Sequence, residues 1–327
     1  MKKFKLNTAL AILTTATAVF SSVANAADDV DWPKRPINLI VAFSAGGNSD
    51  YNARALAKHL TKELGQPVVV SNVAGSGGSI AAAQVKDMKP DGYNVLVTQL
   101  SLNIAEASGM VPFGLNDFDA CCIFSGAADE VLVVNADAPF NNIPELIEES
   151  KKNPGKYKLA VNTGASTLWI AIGLQQAGAK LNIVSSGGSG ERLPLLLGKH
   201  VDIIPMPFNM VQSYVDKGQF KYIANVSNER SKHEKLANVP TLRESNVPAG
   251  YYYYNTMFFP KGTDPKIIEK LSTATGKIIN ENAEYQKEIE GFFQKPVYMN
   301  TADTLKIWSK EREELLNIKD LLQGKGK

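Results

Sequence analysis

Four glycine- and hydroxyl-bearing segments contain the residues most suited to chemistry. Each follows an apolar run of the chain: Phe43 to Asp50, Ala74 to Ser79, Asn162 to Thr167, and Ser185 to Gly188. Glycine lets the backbone approach a ligand closely and adopt positive φ. The first N–H groups of a helix have no intrahelical partner and carry partial positive charge. Such segments can hold a carboxylate or a phosphate. Each segment alone is also typical of a plain strand–helix connection.

The first segment has the clearest division of roles. Asn48 or Ser49 is the expected N-cap of the following helix. Asp50 would repel an anion, so we expect it to serve the N–H groups of its own loop or a bridging water. Bulky replacement of Gly46 or Gly47 is expected to abolish ligand binding. The anion is expected to be held by N–H dipoles and not by an arginine.

Catalytic signatures are absent from the sequence. It contains no G-x-S-x-G, H-E-x-x-H or G-x-x-x-x-G-K-[ST] motif. The histidines, His59, His200 and His233, are far apart, and no Cys/His spacing fits a metal site. The sequence therefore favours binding over turnover, with no catalytic residue, metal or cofactor. A triad assembled in space stays open, since triad order is not fixed in sequence.

Strand–turn–helix alternation predicts a doubly wound α/β fold. The first predicted strand, at 37–43, is continuously apolar, as in parallel sheets that are buried on both faces. Further strands are predicted at 68–70, 94–98, 131–134, 158–161, 183–185, 203–204 and 222–226, and helices at 51–64, 79–88, 143–152, 167–177, 265–280 and 301–322. Two α/β lobes make a cleft, and ligands of such sheets sit beyond the carboxyl ends of the strands.

The N-terminus has the three-part pattern of a secretory signal peptide. Lys2, Lys3 and Lys5 precede an apolar stretch at 9–20, and Ala24-Asn25-Ala26 is a small-x-small cleavage signal. We expect residues 1–26 to be removed by cleavage after Ala26; the alternative is a buried N-terminal helix. The apolar stretch is shorter than the roughly 20 residues of a membrane span.

The composition is that of an ordinary globular protein. The 327 residues are 44% hydrophobic and 21% charged, which argues against disorder and repeats. Without the first 26 residues the chain has 32 Lys and Arg against 33 Asp and Glu. Nothing suggests the clustered basic face that nucleic-acid binding needs. We expect a nearly neutral, soluble, exported monomer.

Cys121 and Cys122 are the only cysteines, and they are adjacent. Neighbouring side chains on a strand point to opposite faces, so a bridge between these two would be strained. We interpret them as small core or surface thiols.

Beyond these patterns, motifs along the whole mature chain resemble the tripartite tricarboxylate transporter solute receptors, the Bug/TctC family. They are Trp32-Pro33, Pro36 to Asp50, Leu64-Gly65-Gln66, Val68 to Val70, Gly75-x-Gly77-Gly78, Pro90 to Tyr93, Asp117-Phe118, Glu145 to Ile147, Asn153 to Lys156, Val239 to Glu244 and Pro260 to Pro265. They occur in the family's order.

The resemblance implies a periplasmic receptor of type II-like binding-protein fold, with two α/β domains and a hinged cleft. It implies a first domain of 27–125 plus 255–327, a second domain of 126–254, and crossings near Ser125-Gly126 and Tyr251 to Asn255. It further implies a di- or tricarboxylate, an acidic amino acid or an aromatic acid as ligand, and a membrane permease as partner. The expected ligand-binding residues are Phe43, Ser44, Ala45, Gly46, Gly47, Asp50, Ala74, Gly75, Ser76, Gly77, Gly78, Thr98, Gln99, Asn162, Thr163, Ser166, Thr167, Ser185, Ser186 and Gly187.

Several positions depart from the family pattern in the second domain. Ser185 to Gly188 replaces Pro-Tyr-Lys-Gly, Ile170 replaces a histidine, and Tyr254 replaces a tryptophan. Met206 to Phe208 either suits a less polar distal group of the ligand or is ordinary core. An exported hydrolase and a sensory receptor for a membrane kinase remain as alternatives. The identity of the ligand stays open.

Overall fold

The computed structural model describes residues 30–126, 129–162, 165–251, 253–292, 294, 296–323 and 325. The predicted signal peptide, with its cleavage after Ala26, lies outside this part of the chain. Residues 31–327 belong to one compact unit, and Val30 is the only described residue of the preceding unit. None of the helices in the described ranges has the length and apolar character to span a membrane.

The first sheet carries the N-terminal strands and one strand from the C-terminal third. Its order is β2-β1-β3-β10-β4, and only β10 runs antiparallel to its neighbours. We call this sheet and its helices lobe A. The strands are β1 (Ile37–Val41), β2 (Val68–Asn72), β3 (Asn94–Thr98), β4 (Phe118–Gly126) and β10 (Tyr254–Pro260).

The second sheet, with its helices, forms lobe B and repeats the same arrangement. Its order is β7-β6-β8-β5-β9, with β5 antiparallel to both of its neighbours. The strands are β5 (Glu130–Asn135), β6 (Lys158–Val161), β7 (Asn182–Ser185), β8 (Ile203–Pro207) and β9 (Phe220–Asn225). The predicted α/β fold with two sheets is confirmed, and both sheets are mixed.

Helices connect and cover the strands. Those that join lobe A strands are α1 (Asn48–Leu64), α2 (Ser79–Lys86) and α3 (Ser101–Ala107). Those within lobe B are α4 (Ile143–Lys152), α5 (Ser166–Gln176), α6 (Ser189–Leu197) and α7 (Phe208–Asp216). The C-terminal ones are α8 (Pro265–Glu281), α9 (Ala283–Gly291), α10 (Thr301–Asn317) and α11 (Lys319–Leu322). Sequence periodicity did not predict β4, β10, α3, α6, α7 or α9, and the single helix predicted at 301–322 is two helices.

Strand β1 shows why the apolar runs lie at the centre of lobe A. It pairs with β2 on one side and β3 on the other, and Leu39 and Val41 are fully buried. Helix α1 then ends as expected at Gly65, which takes the left-handed conformation with φ of 69°. Its N-cap is Gly47, which corrects the expectation of Asn48 or Ser49.

The chain changes sheet between β4 and β5 and again between β9 and β10. These are the regions where the family resemblance placed the crossings; residues 127, 128 and 252 lie outside the described part. A buried apolar cluster also continues from lobe B to Ile104 on α3 and Leu315 on α10. The domain bounds themselves stay a prediction.

The two cysteines lie on β4 as buried free thiols, with the sulfur atoms 3.6 Å apart. Burial raises the pKa of the Cys121 thiol well above its usual value. They are therefore core residues of lobe A.

Candidate functional site

The connections that follow the parallel strands of both lobes meet in a cleft with two joined chambers. The inner chamber has a volume of about 30 Å³ and the outer chamber about 370 Å³. Phe43, Ser44, Asn162 and Gly188 line both. Lobe A supplies the first two of these residues and lobe B the others, so a ligand in the cleft would contact both lobes.

Helices α1, α5 and α6 begin at the inner chamber without a side-chain cap. Their N-cap residues are Gly47, Ala165 and Gly188, and none makes a side-chain capping bond. Helix α7 also begins there, at Pro207, and α2 and α3 likewise lack a cap, whereas α4, α8, α9 and α10 are capped by Asn142, Asp264, Asn282 and Asn300. The cleft helices thus leave N–H groups and positive dipole ends available to an anion.

Arg192 on α6 adds a full positive charge to the inner chamber. It is buried, and its Nε and Nη1 donate to the carbonyl oxygens of Pro205 at 3.0 Å and Gly187 at 3.1 Å. Its Nη2 lies 3.9 Å from Glu130 Oε1 and donates no hydrogen bond to any of the residues that the structure describes. A buried arginine therefore lies at the chamber beside the helix N–H groups that the sequence predicted.

Glu130, at the start of β5, is the counter-charge of Arg192. Its Oε2 accepts a hydrogen bond of 2.5 Å from the hydroxyl of Tyr251. Burial raises the pKa of Glu130, although Arg192 and the Tyr251 bond act in the opposite direction. Because 3.9 Å exceeds hydrogen-bond distance, the guanidinium is only loosely paired and can serve a second anion.

A buried polar network supports the lobe A side of the inner chamber. Gln99 Nε2 donates to Ser49 Oγ and to Tyr253 Oη, both at 2.6 Å, and Ser49 Oγ donates to Asn255 Oδ1 at 2.6 Å. Tyr253, at the second crossing, lines this chamber. Sequence reasoning named Gln99 as a ligand-binding residue but not Ser49, Arg192 or Glu130.

The outer chamber is walled by the second glycine loop of lobe A and by the loop after β7. Its lining residues include Ala74, Gly75, Ser76, Ser185, Ser186, Gly187 and Glu191. Glu191 accepts a hydrogen bond from Ser44 Oγ across the cleft. Ser186 Oγ is buried without a partner among the described residues.

The two lobes touch directly at the ends of α1 and α6. Asn48 N donates to Ser189 Oγ at 3.4 Å. A Cβ on Gly47 would lie 3.3 Å from Ser189 Oγ, and a Cβ on Gly190 would lie 3.4 Å from Gly47 N. Two glycines therefore permit this close approach of the backbones, and the conformation is a closed one.

Other predicted site residues lie away from the chambers. Asp50 accepts from Gly46 N at 3.0 Å and also from Arg54 and Asn72. Burial opposes ionisation of Asp50, but these hydrogen bonds hold its pKa below the usual value. Gly46 and Asp50 line a separate groove together with Met210. Asp50 thus serves its own loop, as expected.

The remaining predicted positions divide into three groups. Asn162, Ser166 and Thr167 line the inner chamber, and Asn162 N donates to Thr167 Oγ1 at 2.9 Å. Those that do not line either chamber in the described part of the chain are Ala45, Gly77, Gly78 and Thr98. Thr163 lies outside the described residues.

The positions that depart from the family pattern divide between chamber wall, with Ser185 to Gly188, and core. Ile170, Met206 and Phe208 are buried in apolar clusters, whereas Pro207 lines the inner chamber. Among the described residues, no group of three or more His, Cys, Asp or Glu side chains could hold a metal ion.

Comparison with known proteins agrees with this architecture. Residues 52–323 match the family model described as the tripartite tricarboxylate transporter family receptor, TctC. Protein BugT of Bordetella pertussis is 33% identical over 293 residues, covering 86% of this chain and 87% of BugT.

Solved structures show the same fold. The periplasmic binding protein BugD is 27% identical with a TM-score of 0.79, over 89% of this chain and 98% of that one. MatC from Rhodopseudomonas palustris with bound malate and an R. palustris protein with adipate are each 21% identical with a TM-score of 0.76. The match with MatC covers 88% of this chain and 100% of MatC. The match with the adipate complex covers 89% of this chain and 98% of that protein. This chain therefore belongs to the tripartite tricarboxylate transporter receptor family, whose members are solute-binding proteins and not enzymes.

Proposed function

We propose that this protein is a periplasmic receptor that binds a small carboxylate in the cleft between its lobes and delivers it to a membrane permease. The observation that carries the proposal is the inner chamber, where the uncapped starts of α1, α5 and α6 converge with Arg192. Related folds with malate and adipate support a carboxylate as the ligand class. The predicted signal peptide at 1–26, with cleavage after Ala26, supports export.

The volumes support a ligand placed with one carboxylate group inward. Space of about 30 Å³ accommodates roughly two or three water molecules, which is similar to one carboxylate group. The outer chamber, at about 370 Å³, has room for the remainder of the ligand. From lobe A, Phe43 and Ser44 would contact the ligand in both chambers and Gly47 in the inner one.

Binding would act through closure of the cleft. An anion in the inner chamber meets α1 from lobe A and α5, α6 and Arg192 from lobe B, so it favours the closed state over the open one. We place the two domains at 27–125 plus 255–327 and at 126–254, with the crossings as the hinge. The permease would then recognise the closed form.

A binding screen on the chain from residue 27 tests the ligand class. Mono-, di- and tricarboxylates, acidic amino acids and aromatic acids are compared by thermal shift and then by calorimetry. A ligand at 100 times its Kd should stabilise the protein by about 2.7 kcal/mol, because it binds only the folded form. If no carboxylate of any class raises the Tm, the proposal is wrong.

A substitution pair tests the position of the carboxylate. Arg192→Met should weaken binding roughly 10- to 150-fold, since hydrogen bonds to charged groups contribute about 1.5–3 kcal/mol. Arg230→Met makes the same change in lobe B at a surface pair with Glu244 and should leave Kd unaltered. Circular dichroism monitors folding, and Arg192→Lys restores the charge. A folded Arg192→Met protein with wild-type affinity would contradict the proposed site.

Delivery to a permease requires a cellular assay. Cells that lack this protein should fail to accumulate the radiolabelled ligand, and the wild-type gene should restore uptake. Unchanged uptake, together with loss of a transcriptional response to the ligand, would instead indicate a sensory role.

A further inference from the structure

The outer chamber contains an unexpected acidic group. Glu191 is the only ionisable side chain among the described residues that line it, and apart from Phe43 and Asn162 the rest of the wall is small or hydroxyl-bearing. The carboxylate belongs to the first turn of α6 and is directed toward the cleft, where Ser44 donates a hydrogen bond to it. The outer chamber therefore carries a single negative side chain, whereas the inner chamber combines Arg192, its loosely paired counter-charge Glu130 and the positive ends of helix dipoles.

The loop after β7 is shaped around this carboxylate. A Cβ on Gly187 would lie 2.0 Å from Glu191 Oε2, so the side chain can fold over this position only because the residue is glycine. Next to it, Ser186 Oγ is buried at the chamber wall and has no partner within the described ranges. The wall thus offers one carboxylate and one unpaired hydroxyl to the distal part of a ligand.

The charges of the two chambers discriminate between ligand types. A dicarboxylate would place its first carboxylate by Arg192 and its second one near Glu191, where no lining cation of the described chain offsets the repulsion. A ligand with an ammonium group at the distal end would instead form an ion pair with Glu191. Arg192 therefore attracts the carboxylate end of the ligand, and the charge of Glu191 selects the group at the distal end.

We propose that Glu191 is a specificity-determining residue that selects an amino-carboxylate, with its carboxylate in the inner chamber and its ammonium group in the outer one. This inference rests on the proposed function, because it assumes a carboxylate beside Arg192. It adds to that function the charge of the ligand's distal group, which we infer to be positive. The ligand class is accordingly zwitterionic and not dianionic.

Matched ligand pairs test the proposal by calorimetry. The pairs are succinate and β-alanine, glutarate and 4-aminobutyrate, and adipate and 5-aminovalerate, in which an ammonium replaces one carboxylate. In the wild type, at least one amino acid should bind about tenfold tighter than its dicarboxylate, a difference of about 1.4 kcal/mol. Glu191→Gln should abolish or reverse that ratio, because it keeps a hydrogen-bonding group of the same shape without the charge.

Two controls separate charge from closure. Ser44→Ala removes the bond across the cleft and should weaken both members of a pair by the same factor. Glu148→Gln makes the same charge change on the exposed face of α4 and should leave the ratio unaltered.

Every outcome decides the inference. A dicarboxylate preference in every pair, or a ratio that Glu191→Gln leaves unchanged, overturns the role of Glu191 while the receptor function stands. Absence of binding by any carboxylate compound, in these pairs and in the wider screen, overturns both.

Discussion

Replacement of Gly47 by valine should block closure of the cleft without harming the fold. Gly47 has φ of −83° and ψ of 174°, an extended conformation that valine adopts readily. A Cβ there lies 3.3 Å from Ser189 Oγ and 3.7 Å from Gly190 N, both in lobe B. The two methyl groups of valine would need space that Ser189 and Gly190 already occupy when the cleft is closed. The tightest contact, to Ser189 Oγ, exists only when the lobes meet, whereas Ser44 O of the same loop would lie 3.4 Å from the added Cβ in either state.

The size of the effect follows from overpacking. Extra methyl groups in a packed contact cost typically about 1–3 kcal/mol. Since each 1.4 kcal/mol is tenfold in affinity, Kd should rise roughly 5- to 150-fold. The Tm of the ligand-free protein should change little, because the open form does not contain this contact.

Gly46→Val is the matched control on the neighbouring residue. Gly46 has φ of +76°, and a Cβ there meets nothing within 4 Å. Valine is therefore strained in the folded chain whether the cleft is open or closed, at a cost of about 1–2 kcal/mol. We expect a Tm about 2–4 °C or more lower, with a smaller change in Kd than in Gly47→Val. This revises the sequence expectation that bulky replacement of Gly46 abolishes binding, because Gly46 lines a groove separate from both chambers.

Calorimetry measures the Kd of both variants for the carboxylate that binds most tightly in the screen. Thermal denaturation measures their Tm. Small-angle scattering reports whether the ligand still compacts the protein. The reasoning is refuted if Gly47→Val binds as the wild type does, or if its loss of affinity is matched by an equal loss of stability.

Three further predictions concern charge and packing. Glu130→Gln removes the counter-charge 3.9 Å from Arg192, so calorimetry should show carboxylates binding up to about tenfold tighter, as expected for a change of about 1.4 kcal/mol. Burial and the neighbouring Glu314 raise the pKa of Glu311 to about 8; the folded state therefore keeps a proton that the unfolded state releases near pH 4.3, and stability falls as pH rises from about 4.3 to 8. Glu311→Gln should flatten this part of the Tm–pH curve, and an unchanged slope would contradict the assignment. Trp308→Ala should cost about 3–5 kcal/mol in urea unfolding, because the ring is buried on lobe A and its Nε1 donates to Thr256 Oγ1 at 3.0 Å; a loss below 1 kcal/mol would contradict this.

Local patterns predicted the strands and helices whose signals are contained within a few neighbouring residues. The bounds of β3, α4 and β6 agree with the sequence expectation, because apolar runs and flanking Asn, Pro and Gly residues mark them. Helix α6 was missed because Pro194 interrupts its pattern, and β10 was missed because its pairing partners, β3 and β4, are remote in sequence.

The glycine loops were also recognisable in the sequence. A helix that begins at Gly47 or Gly188 has no N-cap side chain that could accept a hydrogen bond from its first N–H groups. Uncapped starts alone do not single out the inner chamber, because α2 and α3 also begin without a side-chain cap and their N-cap residues lie outside its lining. Sequence patterns could not have assigned Arg192 either, because a lone arginine on an unpredicted helix looks like any surface arginine.

The amino-acid sequence by itself determined the fold class, the family and the loops that offer N–H groups. Only the tertiary structure brought Arg192 within 3.9 Å of Glu130, joined Gln99 to Tyr253, and set Glu191 against Ser44. Backbone propensity and apolar periodicity act between near neighbours, whereas these three contacts join residues that are 62, 154 and 147 positions apart. These contacts depend on how the two sheets pack, and the contact between Glu191 and Ser44 also depends on closure of the cleft. Packing and closure both depend on the free energy of the whole folded chain.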